Sequence, residues 1–251
     1  MDTSPWLIEA PALIAAAAGV AAYGAAYPRA QLFGSTICRT NAARKLAITF
    51  DDGPNPAITP RLLDLLDRHQ ARATFFLIGR FAKACPELAR EIAARGHEVG
   101  NHTHTHPNLF WCPPKQIESE FSRCSETIGE TLGKRPEWFR PPYGFRNPWV
   151  VPKARRLGMK TVMWTLIPGD WREKPAEWLI RRMEPIAKRK VENQSVKTGT
   201  GDVLCLHDGG YRGLNADRTR TLEALEYWLP RWSELGLEFA TISEAAGAAA
   251  S

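Results

Sequence analysis

From Lys45 onward the chain alternates apolar runs of strand length with amphipathic stretches of helical period. The apolar runs predict strands over Leu46–Phe50, Ala73–Ile78, Glu98–Gly100, Trp138–Arg140, Lys160–Trp164, Val203–Leu206 and Glu238–Ile242. Between them Ile58–His69, Pro86–Arg95, Pro114–Leu132, Trp149–Leu157, Pro175–Lys188 and Ala216–Leu235 carry the helical period. Seven strands separated by six helices point to a parallel βα array. No glycine-rich dinucleotide loop follows the first strand, which favours a closed or nearly closed barrel over the alternative, a doubly wound sheet.

The N-terminus is patterned differently. Ala10 to Pro28 is uncharged and alanine-dominated, and as a helix it would be about 28 Å long, just enough to span a bilayer core. Membrane association is the expectation. Glu9, Pro11, two glycines and the weak hydrophobicity of alanine pull toward a soluble packing helix, and no basic region precedes the segment as a secretory signal requires. Tyr27 to Arg44 looks like a linker. The predicted organisation is a hydrophobic segment and linker over residues 1–44 and one catalytic domain over 45–245.

Composition narrows the function classes. With 251 residues, 44% hydrophobic and 24% charged, one sizeable core is expected. The net charge of +6 is modest, and no nucleic-acid-binding pattern accompanies it, so no nucleic-acid partner is expected. Cys38, Cys85, Cys112, Cys124 and Cys205 are odd in number and lack a Cys-x-x-Cys. They signal neither a disulfide scaffold nor a structural zinc site, although Cys112 and Cys124 are a possible pair.

In a barrel, function gathers where strands end at their C-termini. Asp51-Asp52 follow the first strand, His102 to His106 the third, Arg140 to Gly144 the fourth, Asp170-Trp171 the fifth and His207-Asp208 the sixth. One carboxylate and two imidazoles leave a divalent metal open to water, and a second carboxylate can serve as base. On a strand, His102, His104 and His106 would share a face; on a helical turn only His102 and His106 converge. His69 and His97 read as structural.

These residues carry a family resemblance. Thr49-Phe50-Asp51-Asp52-Gly53, Asn101-His102-Thr103-His104-Thr105-His106-Pro107, Arg140-Pro141-Pro142-Tyr143-Gly144, Asp170-Trp171 and Leu206-His207-Asp208 resemble, in order, the five motifs of the polysaccharide deacetylases, the NodB-homology or carbohydrate esterase family four enzymes. The resemblance implies a distorted (β/α)₇ barrel behind the N-terminal Ala-rich hydrophobic helix. It implies metal-dependent removal of acetyl groups from N-acetylated sugars, with an acetylated glycan as substrate.

By matching positions, Asp52, His102 and His106 would hold one divalent metal, zinc first, with cobalt or nickel as alternatives. His104 would stay beside the site or in the cleft. Asp51 would be the general base, oriented by Arg140. The Tyr143 backbone N–H would hold the oxyanion, with Tyr143 also facing substrate. His207 would be the general acid, its pKa raised by Asp170. Trp171 and Leu206 would line the acetyl pocket. Trp111, Trp138, Trp149 and Trp164 are sugar-stacking candidates without assigned roles.

Ala187 to Thr200 reads as a polar surface loop. A non-catalytic carbohydrate-binding barrel, a small-amide amidohydrolase and a deacetylase of a lipid-linked sugar are the rival functions. Glycan chemistry suggests an extracytoplasmic domain, whereas Arg29, Arg39, Arg44 and Lys45 after the segment favour the cytoplasmic face.

Overall fold

The computed structural model describes residues 6–193 and 198–246, with side chains from Ala12 onward. Helix α1 (Trp6–Ala26) and two short strands, β1 (Thr36–Ile37) and β2 (Arg39–Thr40), precede β3 (Lys45–Asp51). Then come α2 (Thr59–Arg68), β4 (Thr74–Leu77), α3 (Gly79–Ala84), α4 (Pro86–Ala94), β5 (Glu98–Asn101), α5 (Pro114–Leu132) and β6 (Trp138–Phe139). After a tight turn at Pro142–Gly144 follow α6 (Val150–Arg156), β7 (Lys160–Val162), α7 (Ala176–Val191) and β8 (Gly201–His207). A helix Thr219–Glu234, β9 (Glu238–Ala240) and a short helix Ile242–Ala246 end the described chain.

Strand periodicity divides β3 between two layers. Leu46, Ile48 and Phe50 pack outward with Leu62, Leu63 and Leu66 of α2, while Ala47 joins an inner cluster with Phe76, Trp138, Val162 and Val203. Thr49 and Asp51 share the parity of Ala47 and therefore point inward. In β8 the same rule turns Leu204 and Leu206 outward and Val203, Cys205 and His207 inward. Polar chemistry is thus built on the inner face of strands whose outer face is anchored in the core.

The sheet runs β1-β7-β6-β5-β4-β3-β8-β2, with β9 beside the start of β3. β3 and β8 are parallel neighbours, in register so that Asp51 lies opposite His207. Between β7 and β8 the wall is carried by a single bridge, Leu166 to Leu204, and by Thr165 N–H donating to Val203 O at 2.9 Å. This is the distorted, nearly closed barrel expected.

Three departures matter. Residues 36–40, expected as linker, enter the sheet: β1 pairs with β7 and β2 with β8. They are too short and polar to register as strands, and their pairing is set by neighbours far away in sequence. Helix α3 was not expected, because it has six residues and begins at Gly79.

The third departure concerns α1. It is helical over Trp6–Ala26, but among the described residues no helix is long and apolar enough to cross a membrane. The expected span is not met, since alanine supplies length with little hydrophobicity. From Ala12 to Tyr23 the helix is exposed, Leu13 and Ile14 by 70% and 71%, and only Gly24 and Ala25 are buried at its end. Of the expected polar loop 187–200, residues to Val191 extend α7 and 194–197 lie outside the described residues.

Candidate active site

Asp51 ends β3, and its carboxylate is fixed from two sides. Arg140, fully buried just past β6, donates from Nη1 to Asp51 Oδ1 at 2.9 Å and to Thr49 Oγ1 at 2.6 Å, and from Nη2 to Met163 O at 3.0 Å. Its guanidinium also lies 4.3 Å from the centre of the Phe76 ring. A buried cation so placed can hold a carboxylate ionised and aimed. Cys205 Sγ donates to the other oxygen, Oδ2, at 3.4 Å.

Asp52, His102 and His106 converge. Asp52 Oδ1 lies 3.1 Å from His106 Nε2 and 3.5 Å from His102 Nε2, and the three ligand atoms lie within 4.8 Å of one another. All three residues are buried. Asp52 Oδ1 has no hydrogen-bond partner, although a buried polar atom normally finds one. His102 Nδ1 lies 2.8 Å from Arg140 O; a carbonyl only accepts, so the proton sits on Nδ1 and Nε2 is left bare toward Asp52. Burial pulls the His106 pKa down, toward the neutral form a metal needs. Burial opposes ionisation of Asp52, but the two imidazoles beside it outweigh burial and hold its pKa well below the usual carboxylate range. A carboxylate with an orphaned oxygen and two imidazoles whose Nε2 atoms face it fit a divalent metal.

The backbone is strained to deliver these groups. Asp52, Thr103, His106 and Tyr143 have φ of 71°, 65°, 64° and 58°, a left-handed conformation that costs non-glycine residues about 1 kcal/mol or more each. A buried carboxylate pins the histidine turn. Glu120 of α5 accepts from the N–H groups of His104 and Thr105 at 2.8 and 2.7 Å, and from the Thr105 hydroxyl at 2.7 Å. The turn is therefore neither strand nor helix. His104 does not line the cavity: its Nδ1 lies against Gly79, where an added Cβ would come within 2.7 Å.

Across the cavity stands His207. Its Nδ1–H donates to Asp170 Oδ1 at 2.8 Å, while Asp170 Oδ2 accepts from His207 N–H at 2.7 Å and from Thr221 Oγ1 at 3.0 Å. Burial disfavours the imidazolium, but the charge and hydrogen bond of Asp170, with Asp52 and Asp51 beyond, outweigh it and push the pKa up to about 9. Next in sequence, Asp208 is buried against Gly53 and Thr59, and burial pushes its carboxyl up to about 7.

The cavity between them, about 240 Å³, is walled by Pro141, Tyr143, Gly144, Trp164, Ile167, Trp171, Tyr211 and Arg218. Trp171 meets the His207 ring edge-on at 5.0 Å. Leu206 is not part of this wall. It faces the outer core by strand parity, and among the apolar side chains that do line the cavity are Trp164 and Ile167. Trp111 and Trp149 are exposed elsewhere, Trp138 is buried in the inner core, and all five cysteines are free. His97 is structural, accepting from Ala73 N–H at 3.2 Å, and burial lowers its pKa to about 4.

Tyr211, Arg218 and Glu120 escaped sequence reasoning. Tyr211 stacks on His106 at 4.8 Å and 12°, and meets Tyr143 edge-on at 5.5 Å. A lone tyrosine in a loop of Gly, Arg and Asn has no periodicity to betray it. Glu120 was legible only as a polar residue on the inward side of α5.

Comparison with known proteins adds to the geometry. The profile of the family described as polysaccharide deacetylase matches residues 39–162. A peptidoglycan-N-acetylglucosamine deacetylase of Bacillus cereus is 37% identical over 81% of this chain and 89% of its own length. A chitooligosaccharide deacetylase of Bradyrhizobium sp. is 35% identical over 79% of this chain and 89% of its own. Among solved structures, the Bc1960 peptidoglycan N-acetylglucosamine deacetylase in complex with an N-oxidanyl-benzamide superposes with a TM-score of 0.72, at 26% identity, over 84% of this chain and 92% of that one.

Proposed function

Since the chain belongs to the polysaccharide deacetylase family, we propose that it hydrolyses the acetamide of N-acetylated sugars in a glycan, with Asp51 as base and His207 as acid. It is a hydrolase of carbon–nitrogen bonds, as the relatives' activities imply. The observation that carries the reading is the opposition, across one small cavity, of an Arg140-held carboxylate beside an Asp/His/His triad and an imidazole held by Asp170. A non-catalytic barrel has no need of both proton-transfer groups.

Asp52, His102 and His106 would hold the metal, for which zinc suits the donor set. When bound, such an ion acidifies water and polarises the acetamide carbonyl. Asp51 accepts the proton of the attacking water, Arg140 keeping the carboxylate charged and its second oxygen turned inward. The Tyr143 N–H, presented by a turn stiffened by two prolines, donates to the oxygen as charge develops on it. His207 then gives its proton to the leaving amine, which as an anion could not depart. Trp164, Ile167 and Trp171 enclose the acetyl methyl and exclude water.

The test is acetate release from chitooligosaccharides, peptidoglycan fragments and small cyclic amides, before and after chelation. Release from the glycans, lost with chelator and restored by zinc or cobalt, supports the reading. Release from the cyclic amides alone would overturn it.

For location we propose an extracytoplasmic catalytic domain, with the exposed apolar residues of α1 resting on a membrane surface. Protease digestion of intact spheroplasts checks the side, and fractionation of the full chain checks the association. Recovery wholly in the soluble fraction with the N-terminus intact leaves α1 as a packing helix.

A further inference from the structure

The stretch after α1 does more than connect. Tyr27, Pro28 and Arg29 face Trp164, Thr165, Leu166 and Ile167 across a groove of about 330 Å³. Trp164 and Ile167 also wall the catalytic cavity, so the two hollows lie on either side of one shared ridge. We propose that this groove binds the sugar residue adjoining the one being deacetylated, making the N-terminal segment part of substrate recognition. The inference rests on the deacetylase reading above and names where the rest of the glycan lies.

The chemistry of the groove suits a pyranose ring. Tyr27 is 44% exposed and stacks on Tyr23 at 5.1 Å and 21°, so a flat aromatic face is held open to solvent and not folded into the core. The C–H face of a sugar packs on such a ring, while its hydroxyl and acetamide oxygens accept from a neighbouring guanidinium. Arg29, exposed at the groove's edge, supplies those donors.

The groove is also preorganised with the catalytic loop. Arg146, 1% exposed, donates its backbone N–H to Ala25 O at 3.1 Å, Nη2 to Tyr27 O, and Nη1 to Pro28 O at 3.4 Å. Cys38 Sγ donates to the same Pro28 carbonyl at 3.1 Å. Arg146 stands two residues past Gly144, whose φ is 72° and where an added Cβ would meet Trp164 at 2.5 Å. One buried arginine thus ties the groove wall to the turn that presents Tyr143. Rigid placement of two adjoining hollows favours a ligand long enough to fill both.

The experiment compares kcat/KM for fully N-acetylated chitohexaose and for the monosaccharide N-acetylglucosamine, which has no adjoining sugar, in the holoenzyme and its variants. The full chain is expected to prefer the hexamer. Tyr27→Ala should lower the hexamer-to-monosaccharide ratio about fivefold to tenfold, the scale of one aromatic contact, and Arg29→Gln by about threefold. Tyr27→Trp should keep the preference. Loss of fold would lower both substrates alike and leave the ratio unchanged. Two results overturn the inference while leaving the deacetylase reading intact: no hexamer preference in the full chain, or a preference that survives Tyr27→Ala with Arg29→Gln. Absence of acetate from chitohexaose, with metal present, overturns the deacetylase reading and this one with it.

Discussion

The two sides of the catalytic cavity are built on different terms. On the donor side every polar atom of the Asp170 carboxylate is engaged within the chain, by the His207 ring, the His207 backbone and Thr221. On the metal side Asp52 Oδ1 and His106 Nδ1 are buried without partners, and three residues sit in left-handed backbone to bring the ligands together. One side is complete as folded. The other is a set of charges and lone pairs whose cost is recovered only when a cation binds, so perturbations should act on occupancy there and on proton transfer opposite.

The largest effect should come from the metal side. His102→Ala removes a ligand, so the metal content of the purified protein and acetate release should fall together, with affinity weakened by more than the about 100-fold typical of losing an outer partner. Metal stabilises the folded chain by mass action, so the wild-type melting temperature should rise on adding zinc and that of the variant should not. A variant that keeps full occupancy would show that the triad is not the site. Asp51→Asn sharpens the same contrast, since it is beside the triad but outside it: turnover should drop about 100- to 10,000-fold with metal content unchanged. Metal loss in that variant would mean the two aspartates exchange roles.

On the donor side the effect should be smaller and pH-dependent. The acid works protonated, and a pKa raised to about 9 puts the alkaline limb of the rate profile near there. Asp170→Asn removes the attraction that outweighs burial, so the limb should move down toward the ordinary imidazole value of about 6.5 or below. The pair also stabilises the fold. A raised histidine pKa contributes stability that is present below about 6.5 and is lost as pH rises through about 9, so the variant's deficit in melting temperature should be greater at pH 6 than at pH 10. A rate lowered equally at every pH would leave Asp170 with positioning alone.

What could be read beforehand follows the same physical divisions. Seven strands and the helix Pro114–Leu132 were legible because periodicity reports burial, and the motif residues were legible because adjoining Asp-Asp and His-x-x-x-His carry their chemistry in sequence. Leu206 was misplaced because residue type says apolar without saying which face, whereas the inward parity of Asp51 and His207 would have turned it outward. Tyr211 and Glu120 act through a stacked ring and three hydrogen bonds across the fold, contacts with no local signature. The N-terminal forty residues were hardest, since two-residue strands and a carbonyl-capping arginine more than a hundred positions away leave no pattern in the segment itself.

That segment supplies the finest prediction. Up to Ala22 the helix is exposed throughout its described side chains, whereas Gly24 and Ala25 are buried and the carbonyls of Tyr27 and Pro28 receive Arg146. A chain beginning at Asn41 contains all five motifs but loses β1, β2 and those acceptors. It leaves a buried guanidinium with unmet donors, a cost of about 3 kcal/mol, which corresponds to a melting temperature lower by about 6–12 °C. Because Arg146 adjoins the Tyr143 turn, acetate release should fall as well. Among the described side chains, a chain beginning at Tyr23 removes only exposed ones, so its melting temperature and rate should match the full chain within about 2 °C and twofold, as expected for surface changes. Equal stability of the two truncated chains, measured side by side by thermal unfolding with zinc present, would show that residues 23–40 add nothing to the fold, in keeping with the linker expected from Tyr27 to Arg44.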